Sequence, residues 1–195
     1  HREQVVIREI ERLGRRVDTE TFRPQWLSQW GIRFDRVNWV DLEGAKFTDE
    51  GLQHLSSLTN LKFLYLNNTK ISDDGLNHLR SLTKLECLWL GSTKISSNGL
   101  VHLEGLTNLR NIQLFNTQVS DDGLNHLSSL TKLETLSLDS TKITNYGLTQ
   151  LSSLTNLEGL MLAGTKISDD GLYHLSSLTN LKYLRLKDTQ VTNEG

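Results

Sequence analysis

The stretch "LKFLYLNNTKISDDGLNHLRSLTKL", Leu61 to Leu85, contains both of the periods that decide the fold. Near its start Leu64 and Leu66 stand two residues apart, the spacing of side chains on one face of a strand. Near its end Leu76, Leu79 and Leu82 stand three apart, which aligns them on one side of a short helix or 3₁₀-like segment. The pattern then starts again. Leu61 recurs as Leu85, Leu109, Leu133, Leu157 and Leu181, always 24 residues on, and Val37 fills the slot one unit earlier. The chain therefore contains six complete units from residue 37 and part of a seventh.

Every other column repeats in step. The second core column runs Val40, Leu64, Leu88, Ile112, Leu136, Leu160 and Leu184, and the third runs Leu42, Leu66, Leu90, Leu114, Leu138, Leu162 and Leu186. A polar column follows: Ala45, then Thr69, Thr93, Thr117, Thr141, Thr165 and Thr189. After it comes an apolar one, from Phe47 and Ile71 to Val191. Asp49, Asp73, Ser97, Asp121, Asn145, Asp169 and Asn193 precede the helix-side leucines, and all seven are good N-cap residues. Each is itself preceded by Ser or Thr, so the cap can shift by one. The glycine two residues later, Gly51 through Gly195, is expected where a side chain would crowd the next coil.

A unit this small cannot bury its own apolar face, so the units hold only when stacked. Stacked strands form a parallel sheet at about 4.8 Å spacing, whereas helices need about 10 Å. The helical side must spread, and the stack bends with the sheet on its concave face. The expected fold is an α/β solenoid, a curved horseshoe with short helices on the convex side. The Thr column is read as a ladder whose hydroxyls bond backbone groups in the turn after the strand, a task Ala45 cannot perform.

Residues 1–36 depart from the repeat and are read as an N-terminal cap. Glu3 to Leu13 has the pattern of an amphipathic helix stopped by Gly14, and Val17 falls in a short extended segment. Phe22, Trp26, Leu27, Trp30, Ile32 and Phe34 bring apolar bulk to cover the first coil, with a binding role for at least one of these tryptophans as the alternative. The chain opens at His1 without a methionine and stops at Gly195 inside a repeat, so it reads as an excerpt. The last strand would present an open edge. Further repeats are expected there, with self-association at that edge as the alternative; Lys182, Arg185, Lys187 and Asp188 make an edge more tolerable.

With its columns laid out, the chain resembles the leucine-rich-repeat family, in the subtype LxxLxLxxTxIxDxGLxxLxxLTxL carried entire by Leu61 to Leu85. The Thr turn followed by Asp-x-Gly-Leu is similar to repeats of planctomycete-type bacterial proteins, to the cysteine-containing repeats of F-box adaptors and to ribonuclease-inhibitor-like horseshoes. The segment "VIREIERLGRRV" also resembles the stretch that precedes such bacterial repeats. The resemblance implies a curved binding scaffold, protein partners and no chemistry. No F-box segment is visible.

Net charge is −2, from 21 basic and 23 acidic side chains, and supplies no broad attraction for nucleic acid or an anionic membrane. No apolar run reaches the roughly 18 residues that would cross a bilayer. Cys87 is the only cysteine, so no internal disulfide forms; the cytoplasm is slightly favoured, with the envelope or exterior as alternatives. His54, His78, His102, His126 and His174 resemble a metal ladder but are one consensus position copied on the convex side. The Asp73–Asp74, Asp121–Asp122 and Asp169–Asp170 pairs are explained by helix starts. No catalytic set, cofactor site or metal site is expected, because an enzyme needs unlike residues converging on one pocket.

The outward strand slots hold what the scaffold leaves unexplained. Trp39, Phe63, Tyr65, Trp89 and Phe115 fall on neighbouring strands and are expected to form one aromatic patch, with Cys87 inside it, free and thiol-reactive if the face is open. Tyr183 and Arg185 complete the candidate partner-binding residues. The partner is expected to be another protein. The alternatives are a structural spacer array of a larger envelope or surface protein, and a carbohydrate or wall-polymer binder that stacks sugars on the aromatic rings.

Overall fold

The computed structural model describes residues 16–21 and 35–194. The predicted helix from Glu3 to Leu13 and the aromatic-rich segment from Phe22 to Phe34 lie outside the described residues. Within them, Arg16–Thr21 is strand β1, which places Val17 in extended backbone as expected, and Asp35–Asp41 is strand β2. The two pair antiparallel, with a register shift between Asp18 and Thr19.

From β2 onward each unit contributes one parallel strand: β3 Phe63–Tyr65, β4 Cys87–Trp89, β5 Asn111–Gln113, β6 Thr135–Ser137, β7 Gly159–Met161 and β8 Tyr183–Arg185. The sheet runs in chain order, and the register is the sequence column itself: Leu64 pairs with Leu88, Leu88 with Ile112, Ile112 with Leu136. The repeating strands are three residues long because the chain turns immediately afterwards. Asn68, Ser92, Asn116, Ser140 and Asp188, with Gly44 and Gly164, all take a left-handed backbone at the same point of each unit. The following threonine closes the turn: Thr69 Oγ1 donates to the Leu66 carbonyl at 2.6 Å, and Thr93, Thr117, Thr141 and Thr165 repeat the bond at that distance. Ladder bonds extend past the strands, as from the Leu66 N–H to the Trp89 carbonyl and from the Asn68 N–H to the Gly91 carbonyl.

The convex half of a typical unit is one short α-helical turn continued as a 3₁₀ turn, Asp73–Leu76 and then Asn77–Leu79. The first unit is α-helical throughout, Asp49–Leu55, and the third is 3₁₀ throughout, Ser97–Leu103. The third helix-side leucine, Leu82 in this unit, lies beyond the helix but keeps the spacing of three through bonds from the Leu82 N–H to the Leu79 carbonyl and from the Leu85 N–H to the Leu82 carbonyl. One continuous core runs the length of the stack, from Val37 to Leu178, with nearly every member fully buried. The result is the expected curved solenoid, its sheet on the concave side.

Two expectations about the helix starts change. The N-cap position belongs to Thr48, Ser72, Ser96, Ser120, Thr144 and Ser168, the shift by one that the sequence allowed, and the Asp, Ser or Asn that follows is the first helical residue. Its side chain leaves its own helix and bridges to the following coil. Asp73 takes the Ser96 N–H at 2.7 Å on Oδ1 and the Ser96 hydroxyl at 2.5 Å on Oδ2. Asp49 does the same with Ser72, Asp121 with Thr144 and Asp169 with Thr192. The glycine column follows from this bridge. A Cβ on Gly75 would overlap the Asp49 carboxylate, and Gly99 and Gly147 stand in the same relation to Asp73 and Asp121. From Gly75 to Gly171 the crowding comes from the coil before, not from the one after, whereas Gly51 is crowded by Phe47 of its own coil.

Candidate functional site

The outward slots of β2, β3 and β4 bring three rings into one line. Trp39 meets Tyr65 edge-on, with ring centroids 6.0 Å apart and planes at 79°. Tyr65 and Trp89 stack face to face, at 3.9 Å and 15°. Cross-strand pairing explains the second contact: Tyr65 and Trp89 are register partners, so their Cβ atoms start one strand spacing apart and two flat rings fill the gap between them. All three side chains are half-buried, each covered by its neighbours and open along the concave face. The Trp89 indole N–H donates to Asn111 Oδ1 at 3.3 Å, which fixes the outer ring to β5.

The predicted patch is narrower than five rings. Among the described residues the ring contacts join only Trp39, Tyr65 and Trp89. Phe63 stands half-buried in the neighbouring row, in register with Trp39 and Cys87. Phe115 leans back over Gly91, where any Cβ would overlap its ring, so it fills a hollow in the third coil instead of extending the stack. Tyr183 and Arg185 are on β8, four strands from Trp89 and so about 19 Å away. Tyr183 is 73% exposed, and Arg185 pairs with Asp139 at 3.1 Å. The structure does not bring these two together with the aromatic stack.

Cys87 is free, as expected, but it does not stand on an open face. It is only 8% exposed, enclosed by the rings that were expected to leave it open. Burial pushes its thiol up to about 11, against smaller downward effects of hydrogen bonding from Trp89 and Tyr65. The thiolate is the nucleophile, so at neutral pH this residue behaves as a small apolar side chain within the patch. Burial also raises the Tyr65 phenol, with the nearby Cys87 as the next cause.

Two polar residues in the outward slots turn out to belong to the scaffold. Asn67 is buried, accepts the Gly91 N–H at 2.7 Å and donates to Gln113 at 3.3 Å. Asp139 accepts the Ala163 N–H at 2.6 Å. In both cases the next unit places glycine or alanine in the same column, and the small residue lets the polar side chain reach the backbone. That pairing of polar with small was the readable sign in the sequence.

The convex histidines have unlike partners. Arg80 donates to His102 Nδ1 at 2.7 Å, and burial followed by that guanidinium lowers the His102 pKa, whereas His126 Nδ1 lies 2.6 Å from Glu104. Among the described residues no three His, Cys, Asp or Glu side chains are grouped so as to hold a metal ion, and no helix is long and apolar enough to cross a membrane.

Comparison with known proteins agrees with this architecture. A family model for leucine rich repeats in two copies matches residues 59–102, and a second leucine rich repeat model matches residues 177–195. Among solved structures the chain is similar to internalin C2 of Listeria monocytogenes, at 28% identity and a TM-score of 0.63 over 80% of this chain and 74% of that one. A further internalin of the same organism aligns at 22% identity with a TM-score of 0.39, over 80% of this chain and 62% of the other. A search of curated protein sequences returned no significant match. The columns of the repeat, the strand–turn–helix coil they build and the matches to both repeat models make this chain similar to leucine-rich-repeat proteins.

Proposed function

We propose that the chain is a non-catalytic scaffold that binds another protein on its concave face, centred on Trp39, Tyr65 and Trp89. The observation that supports this is the stack itself: three large rings on adjacent strands, partly open on a surface where sheet formation requires none of them. Aromatic anchors set among polar and small residues are the usual composition of an interface centre. Solenoids of this kind present extended concave binding surfaces, and the similarity to internalin C2 supports that framework for this chain. The threonine turn supports the planctomycete-type bacterial subtype of repeat. Pairing of β1 along β2 supports reading residues 1–36 as a cap, since it occupies the edge β2 would otherwise leave open.

Crosslinking or pull-down from the source cell, with Trp89→Ala and Tyr65→Ala as controls, tests the reading. Both substitutions are expected to abolish capture while the far-ultraviolet spectrum stays unchanged. Undiminished capture would remove the stack from the interface, and the absence of any partner would favour a spacer array. Sugar stacking is disfavoured because Tyr65 and Trp89 occupy one another's faces, and a glycan array is expected to be blank. At the other end Leu184 is 40% exposed on β8, an edge on which a further coil or a second copy would stack. Sedimentation over a range of concentrations distinguishes a monomer from self-association there.

A further inference from the structure

One charged column is left unneutralised. Between the buried threonine and the buried isoleucine of successive units stand Lys46, Lys70, Lys94, Gln118, Lys142, Lys166 and Gln190. Because their neighbours on both sides point into the core, these residues project outward at the rim where the sheet turns toward the helices, and all are exposed. Backbone bonds hold the column in line from coil to coil, from the Lys70 N–H to the Phe47 carbonyl at 3.0 Å and from the Lys94 N–H to the Ile71 carbonyl at 2.9 Å. Neighbouring lysines therefore start about 4.8 Å apart and repel one another.

The stack avoids such repulsion elsewhere. In the column just after the first core position, Lys62 pairs with Glu86, Arg110 with Glu134 and Lys182 with Glu158 across adjacent coils. By contrast, none of the five rim lysines has an ion-pair or hydrogen-bond partner for its side-chain ammonium among the described residues, in a chain whose net charge is −2. The unbroken part of the row, Lys46, Lys70 and Lys94, lies on the same three coils as Trp39, Tyr65 and Trp89, five to seven residues further along each coil. Gln118 interrupts it at the coil where the ring stack has also ended.

We propose that Lys46, Lys70 and Lys94 form a docking edge for an acidic segment of the partner protein that covers the Trp39–Tyr65–Trp89 stack. This rests on the concave-face reading above. Two strand spacings separate the first lysine from the third, about 10 Å, which an extended segment of three to four residues spans. Its carboxylates would supply the counter-charges that the column lacks, and steer the partner onto the adjoining apolar stack. Asp41 and Glu43 face the concave side of the first coil, with Glu43 approached by the Asn68 amide at 3.5 Å, so the acidic segment is confined to the rim.

Poly-glutamate serves as the probe, with poly-glutamine as the uncharged control and dextran sulfate and duplex DNA as competing polyanions. The intact chain is expected to bind poly-glutamate at low salt and to release it as salt rises. Replacing Lys46, Lys70 and Lys94 together by Gln should weaken this about tenfold, with the melting temperature unchanged. The double substitution of Lys142 and Lys166 should have the smaller effect, and Trp89→Ala should leave poly-glutamate binding intact. Failure of the chain to bind poly-glutamate, unchanged affinity of the triple variant, or an equal loss on replacing Lys142 and Lys166 would overturn the proposal. So would binding of dextran sulfate or DNA in preference to poly-glutamate through the same lysines. Because Trp89→Ala is read against poly-glutamate here and against the captured partner above, the two readings can fail separately.

Discussion

Cys87 shows how far a single residue can depart from what its column implies. Its slot faces outward, yet the Tyr65 and Trp89 rings close over it and its thiol rises to about 11. In the native chain Cys87 is expected to resist a thiol-specific reagent and to react fully only after unfolding. Trp89→Ala removes one wall and should raise the native rate several-fold; a native thiol that already reacts like free cysteine would contradict the burial. The left-handed residues are the opposite case. Gly44, Asn68, Asn116, Gly164 and Asp188 are types that tolerate this conformation, so the column was open to reading from sequence, although Ser92 and Ser140 dilute it. Trp39, Tyr65 and Trp89 were legible as outward aromatics from the period of two alone. That Phe115 turns away from them was not, because it depends on the hollow at Gly91 in a different unit.

At the scale of the element, the carboxylate bridge joins one helix start to the next coil, and it sets two expectations. Gly75→Ala places a methyl group against the Asp49 carboxylate and should destabilise the chain by about 1–3 kcal/mol. In an Asp49→Ala background the same change should cost less, and a double-mutant cycle by denaturant titration measures the coupling; strict additivity would mean the two side chains do not meet. The second expectation concerns pH. Hydrogen bonds from the Thr192 hydroxyl and N–H hold the Asp169 carboxyl below its ordinary 3.8. A group whose value is lowered on folding stabilises the fold above its unfolded value and loses that contribution as pH falls through the folded one. The tie between the sixth and seventh coils is therefore expected to weaken below about pH 4, seen as faster hydrogen exchange at the Thr192 N–H than the acid-corrected intrinsic rate predicts. Sequence reading identified these acidic residues as helix-start residues but assigned their bonds to the wrong coil. Capping is a local rule, and nothing within one unit reveals that the next unit's serine arrives within 3 Å.

For the whole molecule, stability comes from contact between consecutive coils, each of which touches mainly its neighbours. Leu136, fully buried at the centre of β6, is a position at which the stack can be cut. Leu136→Ala should cost about 2–5 kcal/mol, and hydrogen exchange should accelerate most in the fifth to seventh coils while the first three remain protected; uniform acceleration would argue for a single cooperative unit. The 24-residue period by itself determined the number of coils, the strand register and the solenoid, because a repeated apolar column can be buried only by stacking identical units in line. It also determined which strand positions face outward, since side chains alternate along a strand whatever surrounds them. Only the tertiary structure decided which of those outward residues remain available. Contacts between coils join residues 24 or more positions apart, and there they enclosed Cys87, tied Asn67 and Asp139 to the backbone, turned Phe115 onto Gly91, and left Trp39, Tyr65 and Trp89 as a partly open stack beside an unpaired row of lysines.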